Sequence, residues 1–166
     1  HNGSKERRTP VIVVDSNVLA ARNLTCRLSP IAGQVEKRDS FWLAPPLWRY
    51  EFQNVLAKAV WAGQITPDEA LVAWQKASVQ MADNEHEPSP EKVVDLSIRH
   101  RITAYDANFV ALAMEMGVLC VTEDSELHKK FPAIAVSMAD FVQLNAGDNV
   151  VREPKAVYST RRRRKG

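Results

Sequence analysis

The stretch Val11-Ile-Val-Val-Asp15-Ser16-Asn17 decides the fold, because its β-branched run is typical of a buried strand and its polar end is typical of a helix start. Further strands are predicted for residues 41–44, 118–122 and 133–136. The predicted helices are one from Pro45-Pro46 through Trp48 to Gly63, one opened by Thr66-Pro-Asp-Glu69, two near residues 90–100 and 106–116, and a short one from Asp124. This alternation predicts an α/β fold with helices layered around a mostly parallel sheet.

Length and composition agree with one domain, since the chain has 166 residues, of which 45% are hydrophobic and 25% charged. Its longest unbroken apolar run is six residues, Phe109 to Met114, far short of the roughly 20 that span a bilayer. Two cysteines, Cys26 and Cys120, are too few for a disulfide framework, so we expect a reducing, cytoplasmic setting. The glycine-rich motifs of dinucleotide-binding and P-loop proteins are absent.

Positive charge is concentrated at the two ends of the chain. Residues 1–9 and 158–166 hold eight Lys and Arg against one Glu, whereas the residues between them hold 14 basic and 19 acidic side chains. The run Arg161-Arg-Arg-Arg-Lys165 indicates either attraction to a polyanion or a solvated tail. We expect residues 1–9 to be a tag remnant or flexible N-terminus, residues 10–143 to form the domain, and residues 144–166 to be an extension with a basic tail.

Acidic residues stand where the predicted strands give way to helices. Asp15 and Asp124 follow predicted strands, and Asp106 opens a predicted helix. Asp also serves as a helix cap at such positions, and open α/β sheets form their ligand sites where strands end and helices begin. Glu51 is expected in the middle of a helix, where capping does not explain it. A projection at roughly 100° per residue places Glu51 at the border of the apolar stripe and Asp106 on the core-facing side of its helix.

An inward-facing acid needs a partner, because burying an unpaired charge is costly. Lys and Arg are absent from the inward faces of both segments, so a hard divalent cation, Mg²⁺ or Mn²⁺, is the simplest partner. His86, His100 and His128 lack zinc-type spacing and are interpreted as surface or capping residues. Clustered acids that hold such a cation are typical of phosphodiester hydrolysis by an activated water, and basic residues would attract the nucleic-acid backbone.

At these residues the chain resembles the PIN-domain nucleases, in particular the VapC-type toxins of toxin–antitoxin pairs. The resemblance covers about residues 11–142 and rests on four motifs in order, which are Val-Ile-Val-Val-Asp15-Ser16-Asn17-Val-Leu, Pro-Pro-Leu-Trp-Arg-Tyr-Glu51, Thr-Ala-Tyr-Asp106-Ala-Asn-Phe-Val-Ala-Leu-Ala and Val-Leu-Cys-Val-Thr122-Glu-Asp124-Ser-Glu-Leu. It implies a PIN-like, Rossmann-like three-layer sandwich, metal-dependent endoribonuclease activity, a homodimer and inhibition by a cognate antitoxin.

The resemblance also implies roles for four acids. Asp15 and Asp106 are the first choices as ligands of Mg²⁺ or Mn²⁺. Asp124 would complete the metal shell or position a second ion, and Glu51 would orient or deprotonate the attacking water.

Three polar residues beside these acids would hold the carboxylates in place by hydrogen bonds, because such outer contacts fix ligand orientation. They are Ser16, Asn17 and Thr122, and residues of the same types also form caps and turns. Glu123 ranks below its neighbour Asp124 as a ligand, because adjacent side chains diverge at a strand end.

Three functions remain open at this point. The leading one is a toxin that hydrolyses RNA phosphodiester bonds through a metal-activated water. The others are a catalytically idle PIN-fold module that binds RNA or protein, against which the four acids weigh, and a DNA-directed nuclease, which the small size and the lack of a duplex-binding arm disfavour. The four tryptophans offer rings for base stacking, but core or dimer packing is favoured for them. They are Trp42, Trp48, Trp61 and Trp74.

Overall fold

The computed structural model describes residues 11–145 as a parallel sheet flanked by helices. The strands are β1 (Val11–Val14), β2 (Phe41–Leu43), β3 (Cys120–Val121) and β4 (Ala135–Val136), in the spatial order β2-β1-β3-β4. The helices are α1 (Ser16–Asn23), α2 (Ser29–Arg38), α3 (Trp48–Trp61), α4 (Pro67–Gln80), α5 (Pro90–His100), α6 (Ala104–Met116), α7 (Ser125–Lys130) and α8 (Met138–Gln143). The predicted α/β fold with a parallel central sheet is confirmed.

The register of the two central strands brings their carboxyl ends together. Val14 pairs with Val121 in parallel, and the backbone N–H of Asp15 donates to the carbonyl of Val121 at 3.0 Å. The first residues beyond β1 and β3, Asp15 and Thr122, therefore lie side by side. This edge of the sheet is where the sequence places most of its candidate site.

Helix packing fixes the elements that surround this edge. Helices α1, α3 and α4 contact one another, while α5 packs on α6, which contacts β1 and β3. An aromatic cluster joins α3 to α4, with the ring centroids of Trp48 and Trp74 5.5 Å apart and those of Trp48 and Phe52 6.1 Å apart. Core packing is thus confirmed for Trp48 and Trp74, whereas Trp61 is 78% exposed.

Several predicted boundaries are confirmed and others are wrong. The capping box of Thr66 and Glu69 opens α4 as predicted. Helix α6 begins at Ala104 rather than after Asp106, because Thr103 supplies the cap by accepting from the Asp106 N–H. Strand β3 is shorter than predicted, and helices α2 and α8 were missed by the pattern.

The predicted tag remnant, the basic run and nearly all of the predicted extension lie outside the described residues. Among residues 11–145, none of the helices combines the length and the apolar character that a membrane crossing needs.

Candidate active site

Asp15 is the most deeply buried of the four acids, with 7% of its surface exposed. It caps α1, and its Oδ1 accepts from the N–H of Ser16 at 2.7 Å. Its Oδ2 accepts from the hydroxyl of Thr122 at 2.7 Å. Burial raises the pKa of Asp15, the bonds from Thr122 and Ser16 lower it, and the nearby charges of Asp106 and Asp124 raise it.

Glu51 reaches the same site from α3. The prediction that Glu51 sits in mid-helix is wrong, because α3 begins only at Trp48, after a turn at the two prolines, so Glu51 lies in the first turn. Its Oε1 accepts from the Ser16 hydroxyl at 2.9 Å. Burial raises the pKa of Glu51, the Ser16 bond lowers it, and Asp15 and Asp106 raise it further. If Glu51 only complemented the dipole of its own helix, its side chain would not need to bond Ser16 at the start of α1.

Asp106 enters the site from the first turn of α6, where Thr103 is the cap. Its side chain is half-buried, as the helical projection predicts. Burial raises the pKa of Asp106, the charge of Asp124 raises it further, a hydrogen bond with Thr103 lowers it, and Glu126 raises it again. The carboxylates of Asp124 and Glu126 therefore lie within electrostatic reach of Asp106.

Asp124 combines a capping role with a place at the site. Its Oδ1 accepts from the N–H groups of Glu126 and Leu127, at 2.8 and 3.4 Å, and so begins α7. Its own N–H donates to the Thr122 hydroxyl at 3.1 Å. Thr122, which is fully buried, therefore ties Asp124 to Asp15.

The side chains of Asn17 and Glu123 bond backbone N–H groups rather than the carboxylates of the site. The Oδ1 of Asn17 accepts from the N–H of Glu123 at 3.4 Å, which braces the turn before α7. The Oε1 of Glu123 accepts from the N–H of Met138 at 2.8 Å. Glu123 is thus committed to the start of α8, in agreement with its lower rank as a ligand.

Two contributors were missed by the sequence reasoning. His128 donates its Nε2 proton to the carbonyl of Thr122 at 2.6 Å, since a carbonyl can only accept. Glu126 acts on Asp106 and bonds Lys130 at 2.6 Å. The signal for His128 was its position four residues after Asp124, one helical turn away, which turns it back toward the strand end. His128 is therefore part of the support of the site.

The donor set fits a hard divalent cation. The site offers carboxylate oxygens, and among residues 11–145 no Lys or Arg contributes to the pKa shifts of Asp15, Glu51 or Asp106. Like charges without a cationic partner favour a bound divalent ion with oxygen ligands. Within the part of the chain that the structure describes, no group of three or more His, Cys, Asp or Glu side chains is already arranged to hold a metal ion, so metal coordination stays a prediction.

Fold and site together define an α/β protein with an acidic site at the carboxyl edge of a parallel sheet. The chain is 34% identical over 91 residues to Ribonuclease VapC1 of Mycobacterium tuberculosis, covering 54% of this chain and 68% of that protein. The chain belongs to the VapC family of ribonucleases.

Two further comparisons extend the similarity along the chain. Ribonuclease VapC3 of Pyrobaculum aerophilum is 29% identical over 127 residues, which is 74% of this chain and 96% of that protein. The crystal structure of PAE2754 from Pyrobaculum aerophilum shares the fold, with a TM-score of 0.65, 22% identity, and coverage of 80% of this chain and 93% of that chain. No family model matches the sequence.

Proposed function

We propose that the protein is a divalent-metal-dependent endoribonuclease and the toxin of a toxin–antitoxin pair. One observation carries the proposal: Asp15, Glu51, Asp106 and Asp124 come from separate elements and converge at one edge of the sheet. Ser16 and Thr122 link three of them by hydrogen bonds, and Asp106 lies within electrostatic reach of Asp15. The relatives named as ribonucleases favour RNA as the substrate. Membership of the same family is our reason for proposing a homodimer, a cognate antitoxin and a cytoplasmic location.

The residues divide the chemistry between them. Asp15 and Asp106 would hold Mg²⁺ or Mn²⁺, with Asp124 completing the ligand set through the Oδ2 that its capping bonds leave free. The cation would polarise the phosphate and lower the pKa of the attacking water. Glu51, held by Ser16 at 2.9 Å, would orient that water and accept its proton.

Preorganisation supports the division of roles. Thr122 fixes one oxygen of Asp15 and also the backbone of Asp124, so the two carboxylates keep their relative positions. Ser16 fixes the other oxygen of Asp15 through its N–H, and Glu51 through its hydroxyl. Outer contacts of this kind orient ligands, and losing one typically costs 10- to 100-fold in affinity or activity, roughly.

The test is cleavage of matched pools of single-stranded RNA, single-stranded DNA and duplex DNA with Mg²⁺, with Mn²⁺ and with a chelator. Metal-dependent cleavage of RNA alone is the expected result. Cleavage of DNA in preference to RNA would replace the proposal with a DNA-directed nuclease.

Thermal unfolding distinguishes the remaining alternative. Metal that binds the folded chain should raise the midpoint in proportion to the logarithm of its concentration. If no pool is cut and neither metal changes the midpoint of thermal unfolding, the protein is a binding module with a catalytically idle PIN fold.

A further inference from the structure

We propose that an exposed face beside Asp106 binds the RNA strand next to the bond that is cut. We define this face, called here the α5–α6 face, by three exposed residues on neighbouring elements: Arg101 at the end of α5, Tyr105 in the first turn of α6, and Lys129 on α7, the helix that Lys130 joins to the Arg101 carbonyl. Arg101 and Lys129 would contact phosphates and Tyr105 would stack on a base. The inference rests on the proposed function, because it assigns the substrate of the same acidic site.

The position of the face follows from a chain of contacts. Lys130 donates to the carbonyl of Arg101 at 3.2 Å and to Oε1 of Glu126 at 2.6 Å. The backbone N–H of Glu126 in turn donates to Oδ1 of Asp124 at 2.8 Å, at the acidic site. The turn that carries Arg101, five residues before Asp106, is therefore fastened to α7 beside that site.

Tyr105 directly precedes Asp106 in the first turn of α6, and 63% of its surface is exposed. Among the described residues its hydroxyl has no hydrogen-bond partner. An exposed aromatic ring beside a site for nucleic acid offers a stacking surface, and stacking tolerates any base. Trp61 is more exposed still, but it ends α3, ten residues and about 15 Å along the helix from Glu51.

Arg101 is held in a backbone conformation that arginine rarely adopts. It caps the end of α5 with φ 53° and ψ 46°, the left-handed region that favours glycine. Its side chain is exposed, and within residues 11–145 its guanidinium forms no ion pair. A residue kept at a position that glycine would fill with less strain is a candidate for a functional side chain.

The charges that remain on this face complement a phosphate backbone. Arg99 is paired with Asp95, and Lys130 is engaged by Glu126 and by the Arg101 carbonyl. Arg101 and the exposed Lys129 have no acidic partner among the described residues. Because the acidic site itself repels phosphate, positive charge at its border is what would bring an RNA strand across Asp106.

The experiment measures binding of a short fluorescent single-stranded RNA of mixed sequence to the full chain, in chelator, over a series of salt concentrations. The variants are Arg101→Gly, Lys129→Ala, Tyr105→Ala and Tyr105→Phe. The chain supplies matched controls elsewhere: Lys58→Ala removes an exposed helical lysine and Trp61→Ala an exposed aromatic side chain. Arg101→Gly removes charge while relieving the left-handed strain, so it should unfold at the same temperature as wild type or higher.

We expect Tyr105→Ala to weaken binding about tenfold and Tyr105→Phe to bind like wild type, because stacking needs only the ring. Arg101→Gly and Lys129→Ala should each weaken binding several-fold and lower the slope of log affinity against log salt by about 0.7. The control variants should keep the wild-type affinity and slope.

The outcomes separate this inference from the function on which it rests. If wild type cleaves RNA but all the variants of the α5–α6 face bind with unchanged affinity and slope, the inference is overturned and the function stands. If the variants lose binding while wild type cleaves nothing with either metal, the face is supported and the nuclease proposal fails.

Discussion

The hydroxyl of Thr122 donates to Oδ2 of Asp15 at 2.7 Å, joining residues 107 positions apart in the sequence. The same hydroxyl oxygen accepts from the N–H of Asp124 at 3.1 Å. One small side chain at the end of β3 thus sets the positions of two carboxylates. Because Thr122 is fully buried, water cannot take the place of its hydroxyl in these two hydrogen bonds.

Thr122→Val keeps the shape of this side chain and removes its hydroxyl. The buried Oδ2 of Asp15 and the N–H of Asp124 would lose their partner, which costs about 1–3 kcal/mol of unfolding free energy. We expect RNA cleavage to fall roughly 10- to 100-fold, as measured by initial rates on folded protein. Thr122→Ser should restore most of both quantities, and a valine variant that cleaves at the wild-type rate would refute the role.

Ser16 and Glu51 should behave as a coupled pair. Ser16→Ala removes the bond at 2.9 Å to Glu51 but leaves the backbone bond to Asp15 intact. We expect cleavage to fall about tenfold in Ser16→Ala and to fall little further when the change is added to Glu51→Gln. Additive losses in the double variant would show that Ser16 acts independently of Glu51.

His128→Ala removes the support of the Thr122 carbonyl at 2.6 Å. We expect a loss of about 1 kcal/mol in unfolding free energy, together with slower cleavage, because the turn between β3 and α7 carries Asp124. His86 is exposed, so His86→Ala is the matched control in denaturant unfolding. Equal stability and activity in the two variants would show that the His128 contact contributes nothing.

Asp39 gives the fold a pH dependence away from the site. It is 1% exposed, its Oδ2 has no hydrogen-bond partner in the described part of the chain, and burial raises its pKa to about 6. The stabilisation from its protonated form is present below the ordinary pKa of 3.8 and is lost as pH rises through about 6.

Relative to wild type, Asp39→Asn should therefore gain about 2–3 kcal/mol of unfolding free energy between roughly pH 4 and pH 7. Any constant cost of the substitution cancels from this difference. Denaturant unfolding of both proteins across that range measures it. A difference that does not change with pH would contradict the buried-carboxyl interpretation.

The sequence was most informative where a local pattern had one physical reading. The β-branched run before Asp15 specified β1 and the helix after it, and the capping box at Thr66 specified α4. Helix α2 was missed because it starts without a side-chain cap. Helix α8 was missed because six residues are too few to show a helical period and its cap, Ser137, was not recognised. Their packing against each other stabilises them, and a local pattern does not show it.

The candidate site was predictable by residue type but not by contact. Four acids at strand ends or beside an apolar stripe could be picked out singly, yet the Ser16–Glu51 bond depends on how α1 packs on α3. His128 and Arg101 were missed for a related reason. The spacing of His128 from Asp124 shows only that they share a helix face, and its bond to Thr122 depends on the direction of the turn before α7. Arg101 depends on a backbone angle, which leaves no pattern in the residue order.

Cleavage of a mixed RNA pool with Mg²⁺ or Mn²⁺ by wild type, Asp15→Asn and Asp106→Asn tests the central claim most directly. Asp140→Asn is the matched control, because Asp140 also lies in the first turn of a helix, with its N–H bonded to the capping Ser137. The acidic-site interpretation predicts metal-dependent cleavage by wild type and Asp140→Asn and its loss in both site variants, all four being folded. Equal cleavage by all four proteins would contradict it.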